Sequence, residues 1–164
     1  MLIELKKLFE NEGTSLPLAL QVDLSDVQQR GEQLFVTPVS VHGEIRNRLG
    51  IVTMQAEAQF TYCAPCDRCA EPTRRQFTVP IEHTLVVELN NEDNDDFLVV
   101  ENMRLDVDDL VRSDVLLSLP TKYLCKEDCK GLCTKCGANL NLGDCACAKE
   151  VDPRLAALLD LMEN

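Results

Sequence analysis

Six cysteines fall between residues 125 and 147, spelled Cys125-x3-Cys129-x3-Cys133-x2-Cys136-x8-Cys145-x-Cys147, and three more form Cys63-Ala-Pro-Cys66-Asp-Arg-Cys69. Thiolates at such spacing are ligands for a tetrahedral ion, and zinc is the first expectation. Two thiolates separated by two residues bind one ion while the intervening backbone N–H groups stabilise sulfur. Cys133-Thr-Lys-Cys136-Gly137 has that form, with Gly137 free to take the positive φ that the tight turn asks for. Cys145-x-Cys147 lies far enough beyond Cys136 for a short hairpin to bring it back. Cys133, Cys136, Cys145 and Cys147 are therefore the preferred quartet, and one zinc ion is expected, with a second as the alternative.

Cys125 and Cys129 leave three arrangements open. They replace one of the preferred ligands, share a two-zinc cluster, or join Cys66 and Cys69 in a second site. An iron–sulfur cluster uses the same ligands, and unmetallated thiols are the bland alternative, although packing alone is a poor reason for so many clustered cysteines. Cys66-x2-Cys69 is either a zinc half-site or a redox pair. Redox chemistry of the thioredoxin kind expects a strand-to-helix junction, whereas this pair sits between strands.

Acid–base or hydrolytic catalysis would have only His42 and His83 to draw on. His83 falls on the apolar face of its strand, which suits a half-buried, satisfied histidine better than a catalyst. No Gly-rich phosphate loop and no nucleophile elbow occurs, so no enzyme is expected.

The chain has 164 residues, 45% hydrophobic and 27% charged, with no Trp and only 4% aromatic residues. That length suits one core with an appendage: a β-rich unit over residues 1–120, and a cysteine-rich segment with a C-terminal helix over 121–164 packed on it. The first ten residues interleave charged and apolar side chains, and no apolar run approaches the roughly 18–20 residues that span a bilayer. A cytoplasmic location is expected, where structural disulfides are rare and clustered cysteines hold metal. The net charge of −12 argues against a broad phosphate-gripping face. A local basic patch remains open, built from Lys122, Lys126, Lys130 and Lys135 with Arg68, Arg74 and Arg75, if the two cysteine groups meet.

Period-two alternation dominates the elements that would position these groups. Residues 16–24 read as a short edge strand, because Pro17 interrupts. Val39, Val41 and Ile45 lead into a hairpin turn at Arg46–Gly50. Val52, Met54, Ala56, Ala58, Phe60 and Tyr62 line one side of the clearest strand, which runs into Cys63. Phe77 to Leu89 alternate again, with Pro80 at an edge or bulge. Glu88 to Asp96 is an acidic loop, Phe97 to Val100 one more strand. Asp106 caps a helix that Pro120 stops, and Asp152 caps a final helix burying Leu155, Leu158, Leu159 and Met162. The fold class is α+β: an antiparallel β-meander or partial barrel with two packing helices and a C-terminal cysteine-rich zinc-binding segment.

Cys66-Asp-Arg-Cys69-Ala-Glu-Pro72 after a meander, then Leu119-Pro120, Cys129-Lys-Gly-Leu-Cys133, Cys136-Gly-Ala-Asn-Leu-Asn141 and Asp152-Pro-Arg-Leu155, resemble the YceD family, the large ribosomal RNA subunit accumulation proteins. The resemblance runs from about Val36 to Leu161. It implies a non-catalytic ribosome-biogenesis factor that supports synthesis, processing or accumulation of large-subunit (23S) rRNA. It also implies a ribosomal protein or the pre-ribosomal large subunit as partner; local rRNA contact is what the basic patch, if formed, would allow. Two other readings compete: a thiol-based redox sensor using Cys66 and Cys69, and a zinc-binding adaptor that clamps a basic ribosomal protein through the acidic loop.

Overall fold

Alternation of apolar and polar residues over 51–65 makes a strand that is oily on one face, and it forms the spine of the fold. The computed structural model describes residues 1–29, 31–88 and 96–147. In chain order these form β1 (Leu2–Glu4), α1 (Lys6–Glu10), β2 (Ser15–Val22), β3 (Gln28–Gln29), β4 (Glu32–Gln33), β5 (Val39–Arg48), β6 (Ile51–Pro65), β7 (Pro72–Val86), β8 (Phe97–Val99), a 3-10 turn (Glu101–Met103), β9 (Arg104–Asp106) and α2 (Val107–Ser118).

The expected partial barrel is present as a curled half-barrel sheet in the order β2-β5-β6-β7-β8. β2 stands at its edge, where Pro17 costs no inner ladder bond. The turn between β5 and β6 is two residues, Leu49 (φ 55°) and Gly50 (φ 81°), the double positive φ that matches the twist of a tight hairpin. One pairing departs from a pure antiparallel meander: β8 runs parallel to β7, Leu98 opposite Leu85.

Val52, Met54, Ala58, Phe60 and Tyr62 of β6 are buried in the concave face, where they join Val39, Val41 and Ile45 of β5 and Ile81 and Leu85 of β7. With no Trp, the largest wholly buried side chain is Phe35. Its ring lies 5.4 Å from that of Phe60 and 5.8 Å from that of Tyr62. α2 closes the core with Val107, Val111 and Val115, one helical turn apart on a single face. Asp106 caps it, accepting from the N–H of Asp108 at 3.1 Å. His83 is the half-buried, satisfied histidine expected, its Nε2 2.8 Å from Asp114 Oδ2 and so tying β7 to α2.

α1 was not legible beforehand, because five residues are too few for a 3.6-residue period to show. It is held from below by Asn47, the one buried polar side chain among the described residues. Asn47 Nδ2 donates to the Leu8 carbonyl at 2.7 Å, and Oδ1 accepts from Gly50 N at 3.0 Å. The expected helix from Asp152 and nearly all of the acidic loop lie outside the described residues.

Candidate metal centre

β6 and β7 stay paired in unbroken antiparallel register from Val52–Leu85 to Pro65–Pro72. This long hairpin carries the Cys66–Glu71 turn well beyond the body of the sheet. At its tip, Cys66 N donates to Glu71 O at 2.9 Å and Ala70 N to Cys66 O at 2.8 Å. The second turn repeats this pattern at the same offsets: Cys133 N donates to Ala138 O at 2.8 Å and Gly137 N to Cys133 O at 2.8 Å. Ala70 has φ 57° and Gly137 φ 72°. The two Cys-x2-Cys loops are thus backbone copies of one knuckle, with alanine in one at the left-handed position that glycine fills in the other.

Each knuckle meets a second pair of thiols. Cys66, Cys69, Cys125 and Cys129 form one quartet; Cys133, Cys136, Cys145 and Cys147 form another; within each, all sulfurs lie within 4.8 Å of one another. The preferred quartet is therefore assembled. Of the three arrangements open for Cys125 and Cys129, they adopt the one with Cys66 and Cys69. Cys63 belongs to neither group.

Four thiolates about 2.3 Å from a tetrahedral ion stand about 3.8 Å apart along each edge. Cys66 and Cys129 Sγ are 3.8 Å apart, Cys69 and Cys125 Sγ 3.6 Å. Both quartets could hold a metal ion. They differ in setting. Cys66, Cys69 and Cys129 are 3%, 5% and 1% exposed, while Cys136 faces solvent; we call them the inner and outer quartets.

The inner quartet joins residues far apart in sequence, and its closure depends on side chains that carry no sulfur. Asp67 N donates to Tyr123 O at 2.9 Å, and Tyr123 N to Asp67 Oδ2 at 2.7 Å. The Tyr123 hydroxyl reaches the carbonyls of Tyr62 and Thr73, both at 3.3 Å, across the β6–β7 ladder. Arg68 Nη1 donates to Cys129 O at 2.7 Å. Arg75 Nη2 donates to Leu124 O at 3.0 Å while its guanidinium stands 5.8 Å over the Tyr123 ring. The sequence left open a local basic patch that would include these arginines. Here both hold backbone carbonyls, and Lys126 pairs with Asp128 at 3.8 Å.

Sequence reasoning missed Asp67 and Tyr123 because nothing in their local spacing marks them. Asn141 was visible only as part of a motif. Its Nδ2 donates to Cys129 Sγ at 3.3 Å, and Lys130 N donates to its Oδ1 at 2.9 Å.

Unmetallated, the thiols split into opposite groups. Burial pushes Cys66 up, but hydrogen bonds from the backbone at Cys125, Arg68 and Cys69 outweigh it and hold the thiol at about 6. In the outer quartet, the backbone at Cys136 and Lys135 and the Cys145 side chain bring Cys133 to about 6. Burial, then the neighbouring sulfurs of Cys129 and Cys69, push Cys125 up to about 12. The Cys136 sulfur and burial do the same to Cys147. Burial opposes ionisation at Cys129 as well, but hydrogen bonds from the Asn141 side chain and the Gly131 backbone lower that thiol, so each quartet divides into sulfurs that ionise readily and sulfurs that resist, as expected where negative charges crowd without a cation.

A curled sheet whose longest hairpin and following segment bring together two groups of four cysteines is a β-rich protein with two clusters that could each hold a metal ion. Residues 53–162 match the family model described as large ribosomal RNA subunit accumulation protein YceD, and the chain belongs to that family. It is 26% identical over 144 residues to the large ribosomal RNA subunit accumulation protein YCED homolog 1, chloroplastic, of Arabidopsis thaliana, covering 70% of this chain and 45% of that longer protein. The chain thus spans under half the length of that plant relative. An uncharacterised protein of Mycobacterium tuberculosis is 25% identical over 170 residues, 87% of this chain and 81% of that one. The uncharacterised protein YlbN of Bacillus subtilis is 27% identical over 136 residues, 79% and 77% respectively. No solved structure matches the chain. No helix among the described residues is long and apolar enough to cross a membrane.

Proposed function

We propose that the protein is a non-catalytic factor in biogenesis of the large ribosomal subunit, supporting accumulation of its rRNA, with one zinc ion in each quartet. Family membership over residues 53–162 carries the ribosomal reading. The sulfur spacing supports zinc, because four thiols within 4.8 Å of one another enclose a single ion and leave no room for a polynuclear iron–sulfur core. A buried four-sulfur group also suits a structural ion better than a two-cysteine redox pair.

Zinc there would brace the end of the β6–β7 hairpin against the segment from Tyr123 to Cys147. The exposed Lys122, Lys126 and Lys130 would lie on that brace as local contacts to rRNA or a pre-ribosomal particle, in the cytoplasm. The non-catalytic reading draws support from the two histidines, His42 exposed on β5 and His83 serving as a tie between β7 and α2 through Asp114.

Sedimentation of ribosomes from a depletion strain tests the role, with a fall in the ratio of large to small subunits expected; an unchanged ratio sinks it. Elemental analysis of the purified chain tests the metal, with two zinc per chain expected.

A further inference from the structure

Asn141 sits between Cys136 and Cys145, so an ion that gathers the outer quartet also fixes the loop that carries it. Its side chain nevertheless works at the other site. Nδ2 donates to Cys129 Sγ at 3.3 Å, and Cys129 is 1% exposed. The amide's orientation is set by its surroundings: Lys130 N, which can only donate, meets Oδ1 at 2.9 Å. Asn139 Oδ1 then accepts from both Asn141 N at 3.0 Å and Asn141 Nδ2 at 2.8 Å. Two backbone bonds continue the link, Leu140 N to Gly131 O at 2.9 Å and Leu132 N to Arg68 O at 3.1 Å. The outer loop is thereby stitched to the inner knuckle.

Four thiolates around a divalent cation leave two negative charges in a buried place, and an N–H aimed at sulfur draws off part of that charge. Resting on the two-zinc reading above, we propose that Asn141 couples the sites, so that an ion in the outer quartet strengthens retention of the ion in the inner one. By linkage the inner ion strengthens the outer to the same degree. Because the outer quartet is less buried than the inner and local in sequence, it yields its ion first, and the inner site then loses its ordered amide donor.

The full chain loaded with two zinc ions is challenged with the chromophoric chelator 4-(2-pyridylazo)resorcinol while native mass spectrometry counts ions. Release from the wild type is expected in two phases, the slow one from the inner quartet. Asn141→Ala should speed the slow phase on the order of 10-fold, the lower end of what outer partners of metal ligands contribute. The double variant Cys145→Ser/Cys147→Ser should retain one ion and release it at least as fast. Leu142→Ser, at a neighbouring side chain 86% exposed, should change nothing.

In the cadmium-113-substituted chain, Asn141→Ala should move the inner resonance and leave the outer in place, which a general loosening of the fold would not do. Asn141→Ser, with its shorter donor, takes the same measurements if the alanine variant fails to fold. A slow phase and inner resonance unchanged in the Asn141 variant overturn the coupling while leaving two zinc sites intact. A wild-type chain that never carries more than one ion overturns the two-zinc reading itself.

Discussion

Asp67 and Tyr123 hold each other through two hydrogen bonds, backbone to backbone at 2.9 Å and backbone N–H to carboxylate at 2.7 Å, across a sequence separation of 56 residues. This clasp sets Cys125 opposite Cys69. A zinc ion alone could draw four thiols together from a mobile chain, but the clasp lowers the ordering cost by placing the second pair in advance.

Removing the clasp should therefore be felt at the metal. Asp67→Ala is expected to weaken zinc binding at the inner quartet on the order of 10-fold, read by chelator competition, while the outer quartet keeps its affinity. Equal loss at both quartets would show that the clasp acts on the whole segment instead.

Alanine at position 70 carries a φ of 57°, a conformation that costs an L-residue roughly 1–2 kcal/mol. Ala70→Gly relieves it, offset in part by the greater freedom of glycine in the unfolded chain. We expect a net gain of about 0.5 kcal/mol in stability of the zinc-loaded protein, measured by denaturant titration. The matching change in the other knuckle, Gly137→Ala, should act in the opposite direction.

Asn47→Ala would strand the buried Leu8 carbonyl and take away the acceptor of the half-buried Gly50 N–H. A loss of about 1–3 kcal/mol in unfolding free energy follows from leaving such groups unpaired. Chelator-induced zinc release should not change, since this contact lies at the opposite end of β6 from the knuckle.

Stripped of metal, the cysteines should react in a fixed order. Thiols held at about 6, Cys66 and Cys133, are mostly thiolate at neutral pH, whereas Cys125 and Cys147 at about 12 stay protonated. Brief alkylation followed by peptide mass spectrometry should find Cys133 labelled ahead of Cys147, two thiols of similar, partial exposure. Lowering the pH through about 6 should remove the lead of Cys133 as its thiolate takes up a proton. Zinc should protect all four.

Much of this protein was written in local pattern. Alternation from Val52 to Tyr62 marked β6 and its buried face, Asp106 and Pro120 bracketed α2, and Cys133-x2-Cys136-Gly137 with Cys145-x-Cys147 marked the outer quartet. Each is short-range, set by side-chain period, capping or loop closure over a few residues. The inner quartet was of another kind. Spacing left Cys125 and Cys129 with three arrangements, because sequence carries no distance between residues 66 and 129. Only the β6–β7 ladder, which projects Cys66 and Cys69 past the sheet, and the Asp67–Tyr123 clasp, which turns the later segment back onto them, selected one. The same holds for Asn141, an ordinary loop residue by sequence, whose amide reaches a sulfur of the other quartet once the chain has folded.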